Sequence, residues 1–492
     1  MVARWSCSDP ARGLVVHCKR RAWFAFASGG RAHVLGTSCG AATLLVFAAS
    51  ASRAQLVLPP TVQLAPPWNA QRVFEPILYP RLWWDVDSLL GRPPEDAPVT
   101  PPEDLPVRIR QQPGYEPVGV RAGSWMFYPS LTAGSFYDSN VFSSNIMKRA
   151  DMALRVHPAM FARTLWDRHE VTLQADVWSD FYRNNPGLDQ TNASIRQRGR
   201  IDVRHDIAIL TNFIAASLNE GVGTLSSPAA AVKPTPYTLV SGDVTYWQQF
   251  NRLVASFGTR IDSYDYGSTV AQNGAVIDQS NRDGQIYVGH GRLDYALSGA
   301  TFRPKLGVFT AFDVNKRDIR GVPAQPLHSD GYRVLSGVNV EFTHLITGEF
   351  GIGYARQRFD AASIGTNEGL EYRAFITWSP TRLIDVKFKA EQVVTQASET
   401  DATGIRADAL ALGLDYEFRR NVILSVWGTY ENDKFFNQLR RDNVYATFGE
   451  IKYLFNRFSS MAFRHKYIQR ESNIPFFSYD KHEVGIYVTT QF

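Results

Sequence analysis

Alternation of apolar and polar residues dominates the chain from Ser124 to Phe492. In the clearest stretch, Leu410 to Phe418, every second residue is large and apolar, and the residues between are small or acidic. A period of two residues is typical of a β-strand with one apolar and one polar face. The strands predicted in this way run for about 10 to 15 residues, enough to cross a bilayer at the usual tilt.

The connections between the predicted strands alternate in length. Short breaks, such as Ser379 to Thr381 and Asn456, are followed by longer polar loops, such as 265–283 and 314–329. Outer-membrane barrels have short turns and both chain ends on the periplasmic side, with longer loops outside. The pattern therefore predicts an all-β fold, a closed antiparallel transmembrane β-barrel of about 18 strands over residues 121–492.

One part of this assignment concerns Gly199 to Ile209, where apolar residues alternate with charged ones. We predict this run as a single strand, followed by a break at Thr211 and Asn212. Arg204 and Asp206 then fall on the polar face of that strand.

The first residues predict an exported protein. An apolar core, Ala41 to Ala51, follows a basic segment and precedes small residues up to Ala54. This order is typical of a secretory signal peptide, which we predict for residues 1–54. No apolar stretch approaches the roughly 20 residues of a membrane-spanning helix, so a helical membrane protein is excluded.

Without the predicted leader, the chain is nearly neutral and contains no cysteine. The chain has 52 basic and 47 acidic residues; residues 1–54 hold seven of the basic ones and one acidic one, so 45 and 46 remain. The net charge of +5 is therefore no argument for a nucleic-acid partner. All three cysteines, Cys7, Cys18 and Cys39, lie in the leader, and the remainder needs no disulfide.

Residues 55–120 hold 14 of the 26 prolines. Because proline lacks a backbone donor and interrupts helices and ladders, we predict a Pro-rich, largely unstructured periplasmic extension. Within it, Pro80 to Leu90 is an apolar island. Docking on a partner or on the barrel and a hydrophobic patch in a flexible tail are both open interpretations of this island.

The quoted residues YEPVGVRAGSWMFYPSLTAGSFYDSNVFSSN, from Tyr115 to Asn145, carry a resemblance. Their GVRAGSW, YPSLTAG and YDSNVF segments resemble the start of a family of outer-membrane β-barrel porins associated with exopolysaccharide loci. The resemblance covers Val120 to Phe492. It implies a Gram-negative outer-membrane barrel linked to surface-polysaccharide export, and it supplies no catalytic residues.

The final strand ends in Phe492. An amphipathic C-terminal strand that ends in Phe resembles the recognition signal for the barrel-assembly machinery, so we predict that machinery as a partner. Outer-membrane lipid and lipopolysaccharide are further expected partners of any such barrel, and periplasmic polysaccharide-export components are expected if the chain exports polysaccharide.

A barrel of 16 to 18 strands is wide enough to leave an aqueous channel, so a pore is the default function. The candidate pore-lining residues are the charged members of the polar strand faces: Arg204, Asp206, Arg260, Asp262, Arg292, Asp294, Lys305, Arg333, Glu341, Glu371, Arg373, Asp385, Lys387, Lys389, Asp415 and Glu417. Both signs occur on the same strands, so simple ion selectivity is not indicated. Cross-strand charge pairs that only solvate and stiffen the wall are the alternative interpretation.

The predicted function is passage of a solute or of surface polysaccharide. The alternative is a plugged or non-conducting barrel that serves adhesion or assembly, because the extension is long enough to fold partly into the lumen. A lipid-modifying enzyme is the remote alternative, since the sequence contains no phosphate loop, HExxH or nucleophile elbow. No cofactor is predicted. Asp138, Asn140 and Asn145 could ligate Ca²⁺, but Asx turns are the preferred interpretation.

Overall fold

The computed structural model describes residues 107, 112, 114–223, 227–228, 230–300, 303–321, 327–342, 345–361, 365–395, 405–436 and 438–492. The predicted leader and most of the Pro-rich extension lie outside these residues. Within them, no helix is long and apolar enough to span a membrane.

Eighteen long strands run through the described residues. In chain order they are β1 (Trp125–Asp138), β2 (Asp151–Thr164), β3 (Glu170–Tyr182), β4 (Gln190–Arg204), β5 (Ile207–Glu220), β6 (Thr235–Phe250), β7 (Leu253–Tyr266), β8 (Gly284–Ala300), β9 (Arg303–Ile319), β10 (Ser329–Phe342), β11 (Ile346–Phe359), β12 (Thr366–Thr381), β13 (Ile384–Thr395), β14 (Ile405–Arg419), β15 (Val422–Phe435), β16 (Arg441–Leu454), β17 (Ser459–Ser472) and β18 (Tyr479–Gln491). Consecutive strands pair antiparallel.

The sheet closes because the first strand pairs with the last. Ser130 to Asp138 of β1 are in register with Gln491 to Glu483 of β18. Below the end of β18, the short strand Val120–Ala122 continues the pairing with β1. The predicted closed barrel of 18 antiparallel strands is confirmed.

The alternation in sequence becomes two faces of the wall. Leu412 on β14 is 57% exposed, whereas Asp415 on the same strand is fully buried. Across the barrel, apolar side chains point outward and polar ones inward, because successive Cβ atoms of a strand lie on opposite faces. Leu410, Leu412 and Leu414 lie on the outer face, as predicted from their spacing.

The break expected at Ser379 to Thr381 lies at Arg382 and Leu383, and a second predicted turn is displaced further. The break expected at Thr211 and Asn212 lies inside β5, and the chain reverses at His205 and Asp206 instead. The error has a physical cause: after a two-residue turn, apolar residues continue at the same parity. Val203 of β4 and Ile207 of β5 both follow the outward-facing parity, so the alternation continues through the turn.

The closing seam is held together above the membrane by the β1–β2 loop. Ser139 donates its backbone N–H to the His482 carbonyl at 2.9 Å, and Asn140 donates from Nδ2 to the Asp480 carbonyl at 3.0 Å. The Asn140 backbone N–H also donates to Asp138 Oδ1 at 2.9 Å. The Asx turn is therefore confirmed at Asp138, whereas Asn140 Oδ1 accepts from the Ser144 N–H and Asn145 Nδ2 donates to the Pro475 carbonyl.

Because the outer face of the wall contacts lipid, we expect a charged substitution there to destabilise the barrel more at the middle of the membrane than near its edge. We expect Leu412→Arg, near the middle of β14, to lower the unfolding free energy by about 2–4 kcal/mol, and Phe418→Arg, near its periplasmic end, by about 0–1 kcal/mol. Denaturant titration of the barrel refolded in lipid vesicles measures both. Equal costs at the two positions would contradict a lipid-facing β14.

Candidate functional site

The inner wall from β8 to β12 carries a network of ion pairs. Arg292 contacts Asp294 at 2.7 Å and Glu349 at 2.8 Å. Two strands further on, Arg333 donates to Asp313 at 2.6 Å and to Glu371 at 2.9 Å. Each of these arginines thus bridges two carboxylates on the inner face, so positive and negative charge alternate around the wall.

The network continues in the neighbouring strands. Lys387 of β13 contacts Asp415 of β14 at 2.7 Å, and Asp415 also accepts from the Ser425 hydroxyl at 2.6 Å. On β7, Arg260 contacts Asp262 at 3.1 Å. Because these groups are buried, pairing offsets the cost of removing their charges from water.

Six further candidate positions fall into three groups. Arg373 is in cross-strand register with Glu391, and Lys389 forms an ion pair with that same carboxylate. Arg204 and Asp206 lie at the β4–β5 turn, where the hydrogen bond from Arg204 lowers the pKa of Asp206 below its ordinary value. Lys305 and Glu341 lie on β9 and β10, and their side chains are outside the part of the chain that the structure describes. The pore-lining role of the whole set stays a prediction.

The sequence reasoning missed a second inner-wall network. On β2, Arg155 donates to Asp180 through Nε at 2.5 Å and through Nη2 at 2.7 Å. On β18, Lys481 contacts Asp138 at 2.7 Å and Glu483 at 3.4 Å. The signal was available, because Arg155 alternates with outward-facing apolar residues in the predicted strand 152–164.

Exposed aromatic side chains form bands near both ends of the outer wall. Towards the long loops lie Tyr137, Tyr287, Tyr332, Tyr354 and Tyr445, and towards the short turns lie Tyr246, Phe250, Trp378, Phe418 and Tyr453. Aromatic girdles at both membrane interfaces are typical of outer-membrane barrels. These bands set the height of the membrane boundary on the wall.

At the long-loop mouth, the segment after β5 crosses part of the opening. Arg470 of β17 donates to the Gly223 carbonyl at 3.0 Å, although β17 and β5 are six strand positions apart around the wall. Val222 packs with Val141 and Leu188 of two other loops. Gly223 has a φ of +69°, and a Cβ there would lie 2.6 Å from the Phe142 carbonyl oxygen, so only glycine fits this approach.

At the short-turn mouth, residues that precede the barrel contact the inner wall. The Val107 backbone N–H donates to Asp385 Oδ2 at 2.5 Å, and Gln112 Nε2 donates to Glu417 Oε2 at 2.9 Å. Val107 is 1% exposed and Gln112 is 7% exposed. Two of the predicted lumen carboxylates therefore hold a segment that is distant in sequence.

Comparison with known proteins identifies the family. The family described as "Putative beta-barrel porin 2" matches residues 112–492. No curated protein matches the chain. Similar solved structures include Pseudomonas aeruginosa OpdK with vanillate (10% identity, 74% of this chain and 99% of that chain, TM-score 0.40). They also include Pseudomonas aeruginosa OccK2 (OpdF) (10%, 74% and 98%, TM-score 0.41) and the siderophore receptor PirA from Acinetobacter baumannii (9%, 74% and 80%, TM-score 0.40).

The missed network yields a stability prediction. Arg155→Met leaves the Asp180 carboxylate buried without its bidentate partner, so we expect the unfolding free energy to fall by about 3–5 kcal/mol. The double variant Arg155→Met/Asp180→Leu removes both charges and should recover most of that loss. Urea unfolding in vesicles measures the three proteins, and a double variant no more stable than the single one would refute the assignment.

Proposed function

We propose that this chain, which belongs to the Putative beta-barrel porin 2 family and lies in the outer membrane of a Gram-negative bacterium, is a pore for polar solutes without strong net charge. The observation that carries this proposal is the inner wall, where cations such as Arg292 and Arg333 each lie between two carboxylates.

The chemistry of this wall favours hydroxyl-rich solutes. A ring of one charge sign selects counter-ions, whereas locally paired charges offer hydrogen-bond donors and acceptors with little net field. Sugars fit such a surface because they exchange hydrogen bonds with water for hydrogen bonds with the wall. Passage of surface polysaccharide is the polymer form of this proposal, and the sequence resemblance at residues 115–145 supports it.

A second candidate function is a barrel that is closed from the periplasmic side. The contacts of Val107 with Asp385 and of Gln112 with Glu417 support it. The two carboxylates lie near the short-turn ends of β13 and β14, which are six and five strand positions from β1, where the barrel chain begins. A segment held there crosses part of the periplasmic mouth before it reaches β1.

The pore is tested with full-length protein extracted from outer membranes and reconstituted in planar bilayers. We expect single-channel conductance that neutral oligosaccharides block from either side. No conductance from protein whose gel mobility shows the heat-modifiable folded barrel would refute an open pore. Unchanged surface polysaccharide in a strain that lacks the gene would refute the export form alone.

Charge balance in the wall has its own test. Arg292→Gln leaves Asp294 and Glu349 without their shared cation, so we expect the K⁺/Cl⁻ permeability ratio to rise by about twofold. Asp294→Asn, on the same strand, should shift the ratio in the opposite direction. Reversal potentials in a salt gradient measure both variants, and ratios that do not change would place this network away from the conduction path.

The closed-barrel function is tested by removing the two hydrogen-bond donors of the segment that precedes the barrel. Val107→Pro removes the N–H that Asp385 accepts, and Gln112→Leu removes the amide that Glu417 accepts. We expect the double variant to raise conductance or open probability by about twofold or more, because each lost hydrogen bond weakens the docked segment. The matched control Val107→Ala/Gln112→Asn keeps both donors. Equal behaviour of the double variant and the control would rule out closure by this segment.

A further inference from the structure

Three cationic side chains form a row on the outer wall at the long-loop end. Lys434 of β15 is in direct register with Arg406 of β14 on one side and with Arg441 of β16 on the other. Arg406 has the same parity as Leu410 and Leu412, which face outward. All three cations therefore lie on the outer face at one height, with neighbouring Cβ atoms about 5 Å apart.

The surface below this row changes in steps from apolar to polar. Tyr430 and Tyr445 form a ring pair with centroids 5.2 Å apart, within the aromatic band that marks the membrane boundary. One step higher, Asn432 Nδ2 donates to Asn443 Oδ1 at 2.7 Å. The cationic row begins at the next step. Because the periplasmic side has the short turns, the row faces the headgroup region of the outer leaflet.

Among the described residues, one carboxylate forms an ion pair with this row of three cations. Like charges directly opposite each other on neighbouring strands repel. Lys434 contacts Asp408 at 3.3 Å, and that carboxylate also accepts from Gln392 Nε2 at 2.6 Å. Among the described residues, Arg406 and Arg441 form no ion pair, and the buried Nε of Arg406 has no hydrogen-bond partner.

Other outward cations at this height are compensated. Arg356 contacts Glu368 at 3.3 Å, and Arg358 contacts Asp330 at 2.9 Å. Two strand positions from the row, Lys148 of the β1–β2 loop contacts Asp480 of β18 at 2.7 Å. The row on β14, β15 and β16 therefore differs from these positions by its excess of positive charge and by the adjacency of its members.

We propose that Arg406, Lys434 and Arg441 bind the phosphate groups of a phosphorylated glycolipid in the outer leaflet. Arginine and lysine donate charge-assisted hydrogen bonds to phosphate oxygens. The phosphates supply the negative charge that the row lacks, the asparagine pair below faces the sugar, and the tyrosine pair faces the start of the acyl chains. The site is independent of the pore, since it lies on the other face of the wall.

The test uses lipid A as the probe and full-length protein extracted from outer membranes into detergent. The row variant Arg406→Gln/Lys434→Gln/Arg441→Gln should bind lipid A about tenfold more weakly or worse, because it loses three charge-assisted contacts. The control variant Lys316→Gln/Arg356→Gln/Arg358→Gln removes the same charge from outward positions at a similar height. It should stay within about twofold of the natural protein. Heat-modifiable gel mobility shows that each variant is folded.

Two further arms identify the ligand. Lipid A without its phosphates should bind the natural protein and the row variant equally weakly, and inorganic phosphate at millimolar concentration should not displace lipid A. Equal weakening by the row and control variants would show general charge attraction and overturn the proposal. Full displacement by inorganic phosphate, or undiminished binding of phosphate-free lipid A, would overturn it as well.

Discussion

Closure of the backbone hydrogen-bond ladder is the constraint on which this structure depends. Hydrocarbon offers no donor or acceptor, so a sheet edge left open in the membrane has a cost of several kcal/mol for each unsatisfied group. The pairing of β1 with β18 removes both edges at once. The clamp of Ser139 and Asn140 onto β18 and the short strand Val120–Ala122 extend that pairing above and below the shared segment.

Closure also fixes what each face of the wall can carry. Once the backbone groups are paired within the sheet, side chains alternate between lipid and lumen along the regular parts of each strand, and the register shifts lie near strand ends. Many charged side chains of the inner face are buried, and the structure offsets the cost of that burial by pairing them within and between strands, as Arg155 and Asp180 show. On the outer face a charge is tolerated only beyond the aromatic bands, which is where Arg406, Lys434 and Arg441 lie.

The sequence predicted the barrel well because its signal is local. A residue's face depends on its parity within one strand, so Leu412 and Asp415 could be assigned without any tertiary information. The same locality explains the error at His205 and Asp206: a two-residue turn preserves parity, and the pattern contains no mark of the reversal. It also explains why Arg204 and Asp206 were placed within a strand, whereas they lie at its end.

Contacts between distant segments carry no such local signal. The approach of Gly223 to Arg470 depends on how three loops pack, and the docking of Val107 on Asp385 joins residues 278 positions apart. The cationic row needs the register of three strands, because Arg406, Lys434 and Arg441 are ordinary surface residues when each is taken alone. A register shift of one residue in β15 would point Lys434 into the lumen, so the three cations would no longer lie side by side. The position of each charged side chain in this barrel therefore depends on the register that closure imposes on its strand.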